Sequence, residues 1–191
     1  KQRFLDLLQH FIVFEEDTDS DRLHKIIAGY HQFHAVNGAV EETVRASGMT
    51  KDLETAELPI GEYWAGRMHG GKPGDRRAGV VWHTQGSGKS YLMAFFAEKV
   101  RRTVEGNFTF VLMTDRDDLD SQIYKTFVGC GVSTSQGDKA TGADGLERLL
   151  RDQDRRYVFS LIHKFNKRVT APWTPRRDII VLSDEAHRTQ Y

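Results

Sequence analysis

The eight residues His83–Ser90, HTQGSGKS, constrain the fold of this 191-residue chain more than any other segment. They stand between a short apolar run, Gly79-Val80-Val81-Trp82, which reads as a buried strand, and a stretch from about Ser90 to Val104 with helical apolar spacing. Glycines at 86 and 88 let the backbone turn tightly and point N–H groups inward at phosphate oxygens. A helix starting near Lys89 adds its positive dipole end. Thr84, Gln85, Gly86, Ser87, Gly88, Lys89 and Ser90 are therefore the candidate nucleotide-binding residues, with ATP as the cofactor. The Lys89 ammonium reaches the β and γ phosphates, and the Ser90 hydroxyl ligates Mg2+. The full pattern asks for glycine at its first position, where this sequence has His83. A glycine-rich turn with a chance lysine is the alternative; strand before and helix after favour the phosphate loop, because its mechanism needs that context.

Such a loop implies an α/β fold, and the rest of the chain supplies one. Phe108–Met113 is a second apolar run, followed by a helix carrying Leu119, Ile123 and Phe127. A loop over Gly129–Gly142, a helix over Ala143–Arg151 and strands over Tyr157–Ile162 and Ile179–Leu182 follow. Strands alternating with helices predict a parallel sheet covered on both faces. The last strand runs into Ser183-Asp184-Glu185-Ala186-His187. Paired carboxylates at the end of a buried strand are costly without a partner, and ligands of open parallel sheets bind there. Asp184 suits Mg2+ held through water, and Glu185 suits orientation of the attacking water. Acidic residues at a helix N-cap are the alternative reading.

The N-terminal part reads as helical. Residues 3–12 carry apolar side chains at helical spacing, a polar stretch over Glu15–Asp21 ends in capping residues, and Leu23, Ile26, Ile27, Tyr30 and His34 predict a second helix. That helix is expected to break near Asn37-Gly38 and to resume through Val40 and Val44 to Gly48. Tyr30 and Phe33 are expected in the core. The resulting division is a helical segment over 1–48, a connector or surface insertion over 49–77, and the phosphate-loop domain over 78–191. Twenty-seven basic against twenty-seven acidic residues argue neither for nor against nucleic acid. Cys130 is the single cysteine, which excludes an internal disulfide, points to a reducing compartment and carries no assigned chemistry. No apolar run is long enough to span a bilayer. Both ends, Lys1 and Tyr191, read as cuts within a longer protein.

HTQGSGKS and DEAH resemble motifs I and II of superfamily-two helicases. VLMTDRDDLDSQ (Val111–Gln122), YVFSLIHKF (Tyr157–Phe165), GYHQFHAV (Gly29–Val36) and the block AGVVWHTQGSGKS are similar to segments of the motor subunit of type I restriction–modification enzymes. The resemblance covers nearly the whole chain. It implies the first RecA-like domain of a P-loop NTPase, cut after motif II and preceded by helices leading to a nuclease domain. It implies ATP with Mg2+, translocation of double-stranded DNA before cleavage, modification and specificity subunits as partners, and a cytoplasmic setting. Lys89 and Glu185 become the catalytic pair, and Ser90 and Asp184 the metal ligands. Gln32 is assigned to the adenine edge, which its amide donor and acceptor match, against the alternative of a solvated helix face. Thr114, Arg116 and Ser160 become candidate DNA-phosphate contacts, and Asp115 stays structural. Lys164, Lys167, Arg168, Arg176 and Arg177 form a local basic region, either solvated or facing DNA. His187 looks like a coupling residue toward a second motor domain. A DEAH-type RNA helicase and a non-catalytic nucleotide-binding scaffold are the rivals. The flanks of the motifs speak against the first, and the intact set Lys89, Ser90, Asp184 and Glu185 against the second.

Overall fold

The computed structural model describes residues 1–17, 22–48, 71–84, 86–133, 138–165 and 170–184. The chain divides into two compact units, one of residues 1–14 and 23–104, the other of residues 15–22 and 105–191.

The second unit holds the sheet. β3 (Thr109–Thr114) lies between β4 (Tyr157–Leu161) and β5 (Ile179–Ser183), and both neighbours run parallel to it. Strict alternation assigns the two faces. Val111 and Val158, paired in register, turn to α5 (Ala143–Arg151), whose Leu146, Leu149 and Leu150 bury against them. On the opposite face Tyr157 and Phe159 meet Phe127 of α4 (Asp117–Gly129), with ring centroids 5.6 and 5.5 Å apart. Tyr124 of α4 sets its edge against Phe159 at 5.2 Å. Helices on both faces of a parallel sheet are the expected α/β architecture.

The first unit contains α1 (Gln2–His10), α2 (Tyr30–Ser47) and α3 (Lys89–Thr103), with α2 packed along α3. Phe11 anchors its core, 4.7 Å from the Phe33 ring and 5.9 Å from Phe95. Lys99 of α3 is buried, with 1% exposure. Its Nζ donates to Asp6 Oδ1 of α1 and to Asn37 Oδ1 of α2, both at 2.5 Å, and lies 4.8 Å from the centre of the Phe11 ring.

Four expectations from the sequence are corrected. Residues 22–27 form a strand, β2, paired with β1 (Ile12–Asp17), where a helix was expected. Ile12, Val13, Phe14, Ile26 and Ile27 favour extended chain, and the helical spacing of Leu23, Ile26 and Ile27 was coincidental. The capping residues expected at 18–20 lie outside the described residues. Second, α2 runs unbroken through Asn37-Gly38. The Asn37 amide is satisfied inside the helix, Nδ2 donating to Phe33 O at 3.0 Å and Oδ1 accepting from Lys99, so nothing draws it out. Gly48 does end the helix, in the left-handed conformation. Third, Gly79–Trp82 forms no strand; Val80 and Trp82 are 83% and 85% exposed. No described strand pairs with this run, and four apolar residues without a ladder partner have no reason to hold an extended conformation. Fourth, Tyr30 is exposed rather than core, its ring edge on His34 at 4.6 Å. Phe33 is buried as expected.

Most of the expected 49–77 connector lies outside the described residues. Its last turn is docked on the end of α2. The Arg45 guanidinium donates to Lys72 O, Asp75 Oδ1 and Arg77 O, while Gly74 and Arg76 donate their N–H groups to Arg45 O and Ala46 O.

Candidate nucleotide site

The phosphate loop is built within the first unit, at the start of α3. Gly86 and Gly88 have φ of 78° and 76°, in the left-handed region that side chains rarely adopt. Gly88 is the N-cap of α3, its carbonyl accepting from Leu92 N–H at 3.0 Å. The first amides of a helix have no intrahelical carbonyl, so a loop that ends in this way offers N–H groups to an anion. Lys89 and Ser90, the first two residues of α3, are half-buried at that mouth. Thr84 O accepts from Ser87 N–H at 3.3 Å and closes the turn. Two left-handed glycines and a free helix start fit a nucleotide phosphate tail.

Gln32 lies against this loop. It is 7% exposed, and its Nε2 donates to Gly88 O at 3.0 Å and to Ser87 O at 3.3 Å. Its Oε1 accepts from Gly29 N–H at 2.9 Å, the reach-back half of a capping box at the start of α2. A Cβ on Gly88 would stand 2.7 Å from Gln32 Nε2, so the close approach of amide to loop requires glycine there. The fold brings Gln32 to the phosphate loop across more than fifty residues of sequence. Sequence reasoning overlooked His31. Its Nε2 also reaches Ser87 O, at 3.2 Å, and its ring stands edge-on to His83 at 5.2 Å. Its place beside Gln32 in the first turn of α2 was the available signal. Burial, then His31, then Lys89 hold the His83 pKa below the usual histidine value.

The remaining candidates belong to the second unit. Asp184 follows β5, and its N–H donates to Met113 O at 2.9 Å, carrying the ladder one residue past the strand. Thr114 ends β3, and Ser160 pairs in register with Met113, so all three stand at the C-terminal end of the parallel sheet. Thr114 and Ser160 are buried, at 2% and 0% exposure, and their hydroxyls donate to Arg116 O and Leu161 O. A buried hydroxyl already given to a carbonyl is not presented to a DNA phosphate. Arg116 is presented, its side chain 58% exposed and its Nε 3.9 Å from Asp115. The basic region is partly structural. Lys164 donates to Ala140 O, and Arg176 binds Asp178 Oδ1, Asp152 O and Asn107 O. Gln85, Lys167, Arg168, Glu185 and His187 lie outside the described residues. Burial pushes the Cys130 thiol pKa up to about 12, with Glu15 adding to the effect. Among the described residues no helix is long and apolar enough to cross a membrane.

Comparison with known proteins finds relatives along nearly the whole chain. The type I restriction enzyme HindI endonuclease subunit of Haemophilus influenzae is 38% identical over 98% of this chain, a match that covers 16% of the relative. A protein of Methanocaldococcus jannaschii, provisionally named the MjaIXP endonuclease subunit of a type I restriction enzyme, is 34% identical over 96% of the chain and 16% of the relative. The chain thus spans about a sixth of the length of these curated relatives. The SWI2/SNF2 ATPase family matches residues 31–191, which include Gln32, the phosphate loop and the acidic strand end. On that match, and on a parallel sheet with helices on both faces as a RecA-like P-loop fold requires, the chain belongs to the SWI2/SNF2 ATPase family.

Proposed function

We propose that this chain is the ATP-binding motor portion of the endonuclease subunit of a type I restriction enzyme, and that it uses ATP hydrolysis to move double-stranded DNA before cleavage. The observation that carries the reading is the phosphate loop with Gln32 held against it, in a chain similar over nearly its whole length to such subunits. Backbone N–H groups of Gly86 and Gly88 and of the start of α3 bind the phosphates, the Ser87 N–H being given to Thr84 O, and Lys89 neutralises the β and γ oxygens. Ser90 and Asp184 are the residues that would hold Mg2+, which when bound screens the charge developing on the γ-phosphate. Glu185, placed by its motif, orients the attacking water.

Hydrolysis also needs positive charge on the γ-phosphate from beyond this motor domain. An arginine finger raises turnover by about 10³ to 10⁵ in related NTPases; here a second motor domain would supply it, so these 191 residues alone bind nucleotide weakly and hardly turn it over. Arg116, exposed after β3, contacts DNA phosphates without reading sequence. Modification and specificity subunits are the partners, and the cytoplasm is the compartment. The reading is tested in the intact protein by Lys89→Ala. MgATP affinity and duplex-stimulated ATPase are both expected to fall, and unchanged MgATP affinity would refute it.

A further inference from the structure

We propose that His31 is a positioning residue of the nucleotide site, holding the phosphate loop in its binding shape from the first turn of α2. The proposal rests on reading that loop as the phosphate site.

Three observations carry it. A carbonyl only accepts, so the 3.2 Å contact between His31 Nε2 and Ser87 O places the ring hydrogen on Nε2 and makes His31 the donor. Ser87 is the residue between the two left-handed glycines, where an unrestrained backbone has the most freedom to turn its N–H groups away from a phosphate. The ring of His31 also meets His83 edge-on at 5.2 Å. His83 occupies the first position of the loop pattern, where glycine is usual. One imidazole therefore touches the loop at its entrance, His83, and at its middle, Ser87, so a bulky entrance residue is tied down through ring contact instead of by a tight glycine turn.

Gly29 shows how the ring is kept in place. Its φ of −67° suits any residue, so backbone conformation does not demand glycine. A Cβ there would stand 3.0 Å from His31 Cε1 and 3.2 Å from Nδ1. The imidazole lies back over Gly29, and a methyl group at that position makes the ring give by a few tenths of an ångström, which lengthens its 3.2 Å contact with Ser87 O. His31 is exposed, so replacing it should disturb folding little.

The experiment is calorimetric titration of the intact protein with MgADP, MgATP and MgGTP. His31→Ala is expected to weaken all three by about three- to tenfold, the range of one hydrogen bond, because the contact is to loop backbone rather than to the base. His31→Gln, whose amide nitrogen reaches about as far as Nε2, is expected to restore most of the loss. A residue that merely filled space would not be rescued by an amide. Gly29→Ala is expected to weaken binding in the presence of His31 and to add nothing in the His31→Ala background. Lys89→Ala serves as the reference for the site itself. If Lys89→Ala leaves affinity unchanged, the reading of the loop fails. If Lys89→Ala weakens binding and His31→Ala does not, or if the His31→Ala loss is confined to ATP, the positioning role is overturned. Additive effects of Gly29→Ala and His31→Ala would overturn it too.

Discussion

Lys99→Met tests the buried network that ties α1, α2 and α3 together. Methionine keeps the length of the side chain, so the substitution removes charge and donors with little cavity. What remains is an Asp6 carboxylate with 12% side-chain exposure and an Asn37 carbonyl oxygen in a residue with 7% exposure, both deprived of the ammonium 2.5 Å away. A buried acceptor left unsatisfied costs about 1–3 kcal/mol, and breaking a buried ion pair by removing one partner about 3–5 kcal/mol. The terms overlap, so about 3–5 kcal/mol is expected in total, a large part of the stability of an ordinary domain. Burial holds the Lys99 pKa below its usual value, with Asp6 offsetting only part of the effect. The charged pair is therefore a poor source of net stability, and Asp6→Leu with Lys99→Met should recover most of the loss. Hydrogen exchange of the α3 amides in the intact protein reads both results. At about tenfold per 1.4 kcal/mol, Lys99→Met should speed exchange through local opening by hundreds- to thousands-fold. Acceleration below about fivefold, or a double variant no slower than the single one, would refute the reasoning.

Acid should destabilise the first unit. His10 is 7% exposed, and burial, followed by Lys99, holds its pKa below the usual 6.5, so the unfolded chain takes up the proton first. His10 stability is then fully present above about pH 6.5 and is lost as pH falls from there through the lowered folded value. Melting curves between pH 7.5 and 5 should show the decline, with a shallower one for His10→Gln; parallel profiles would exclude His10 as the cause. Cys130 is half-buried with its thiol pushed up to about 12, so it should react with a thiol reagent at neutral pH more slowly in the native protein than in denaturant, and equal rates would contradict the raised pKa. Gln32→Ala should weaken MgATP more than MgGTP and MgCTP if the amide reads adenine, whereas equal losses would leave it a loop contact alone.

The left-handed glycines and the helix start were legible because their requirements are local, whereas the strand expected before them at Gly79–Trp82 did not form. Gly86 and Gly88 must reach left-handed φ, and a helix must start at once after them, so eight consecutive residues carry the signal. The strands β3 and β4 were legible for a related reason: a strand buried on both faces is a continuous apolar run, as in TFVLMT and YVFSL. The hairpin of β1 and β2 was not. Its strands are mostly exposed, so no core face imposes alternation, and RLHKII satisfies helical spacing as well as an extended one. Asn37-Gly38 misled because the pair usually marks a turn. What keeps it helical is Lys99, sixty-two residues away, taking the Asn37 carbonyl oxygen. Thr114 and Ser160 show the same limit at the site. Their place at the C-terminal ends of β3 and β4 could be read from the apolar runs, but burial and the carbonyls that receive their hydroxyls depend on neighbours that spacing does not reveal.

If Gln32 reads adenine, it joins the two halves of the nucleotide problem, and its hydrogen-bond capacity sets how. A side-chain amide has two N–H donors and an oxygen with two lone pairs. Here both hydrogens go to the loop, at Gly88 O and Ser87 O, while Gly29 N–H takes one lone pair. The adenine edge asks for one donor and one acceptor side by side. The acceptor remains available, but the donor is committed. Reading the base therefore requires Gln32 to release one loop carbonyl, and Ser87 O, at 3.3 Å against 3.0 Å for Gly88 O, is the weaker bond. That carbonyl is also the one His31 reaches. When Gln32 turns a hydrogen toward adenine, His31 still fixes Ser87, and the phosphate cradle keeps its shape while the base is read. If Gln32 reads adenine, two adjacent residues on one helical turn divide the work, His31 holding the loop constant and Gln32 exchanging a loop contact for a base contact. In a loop lacking the imidazole, the same exchange would loosen the phosphates at the moment the base was recognised.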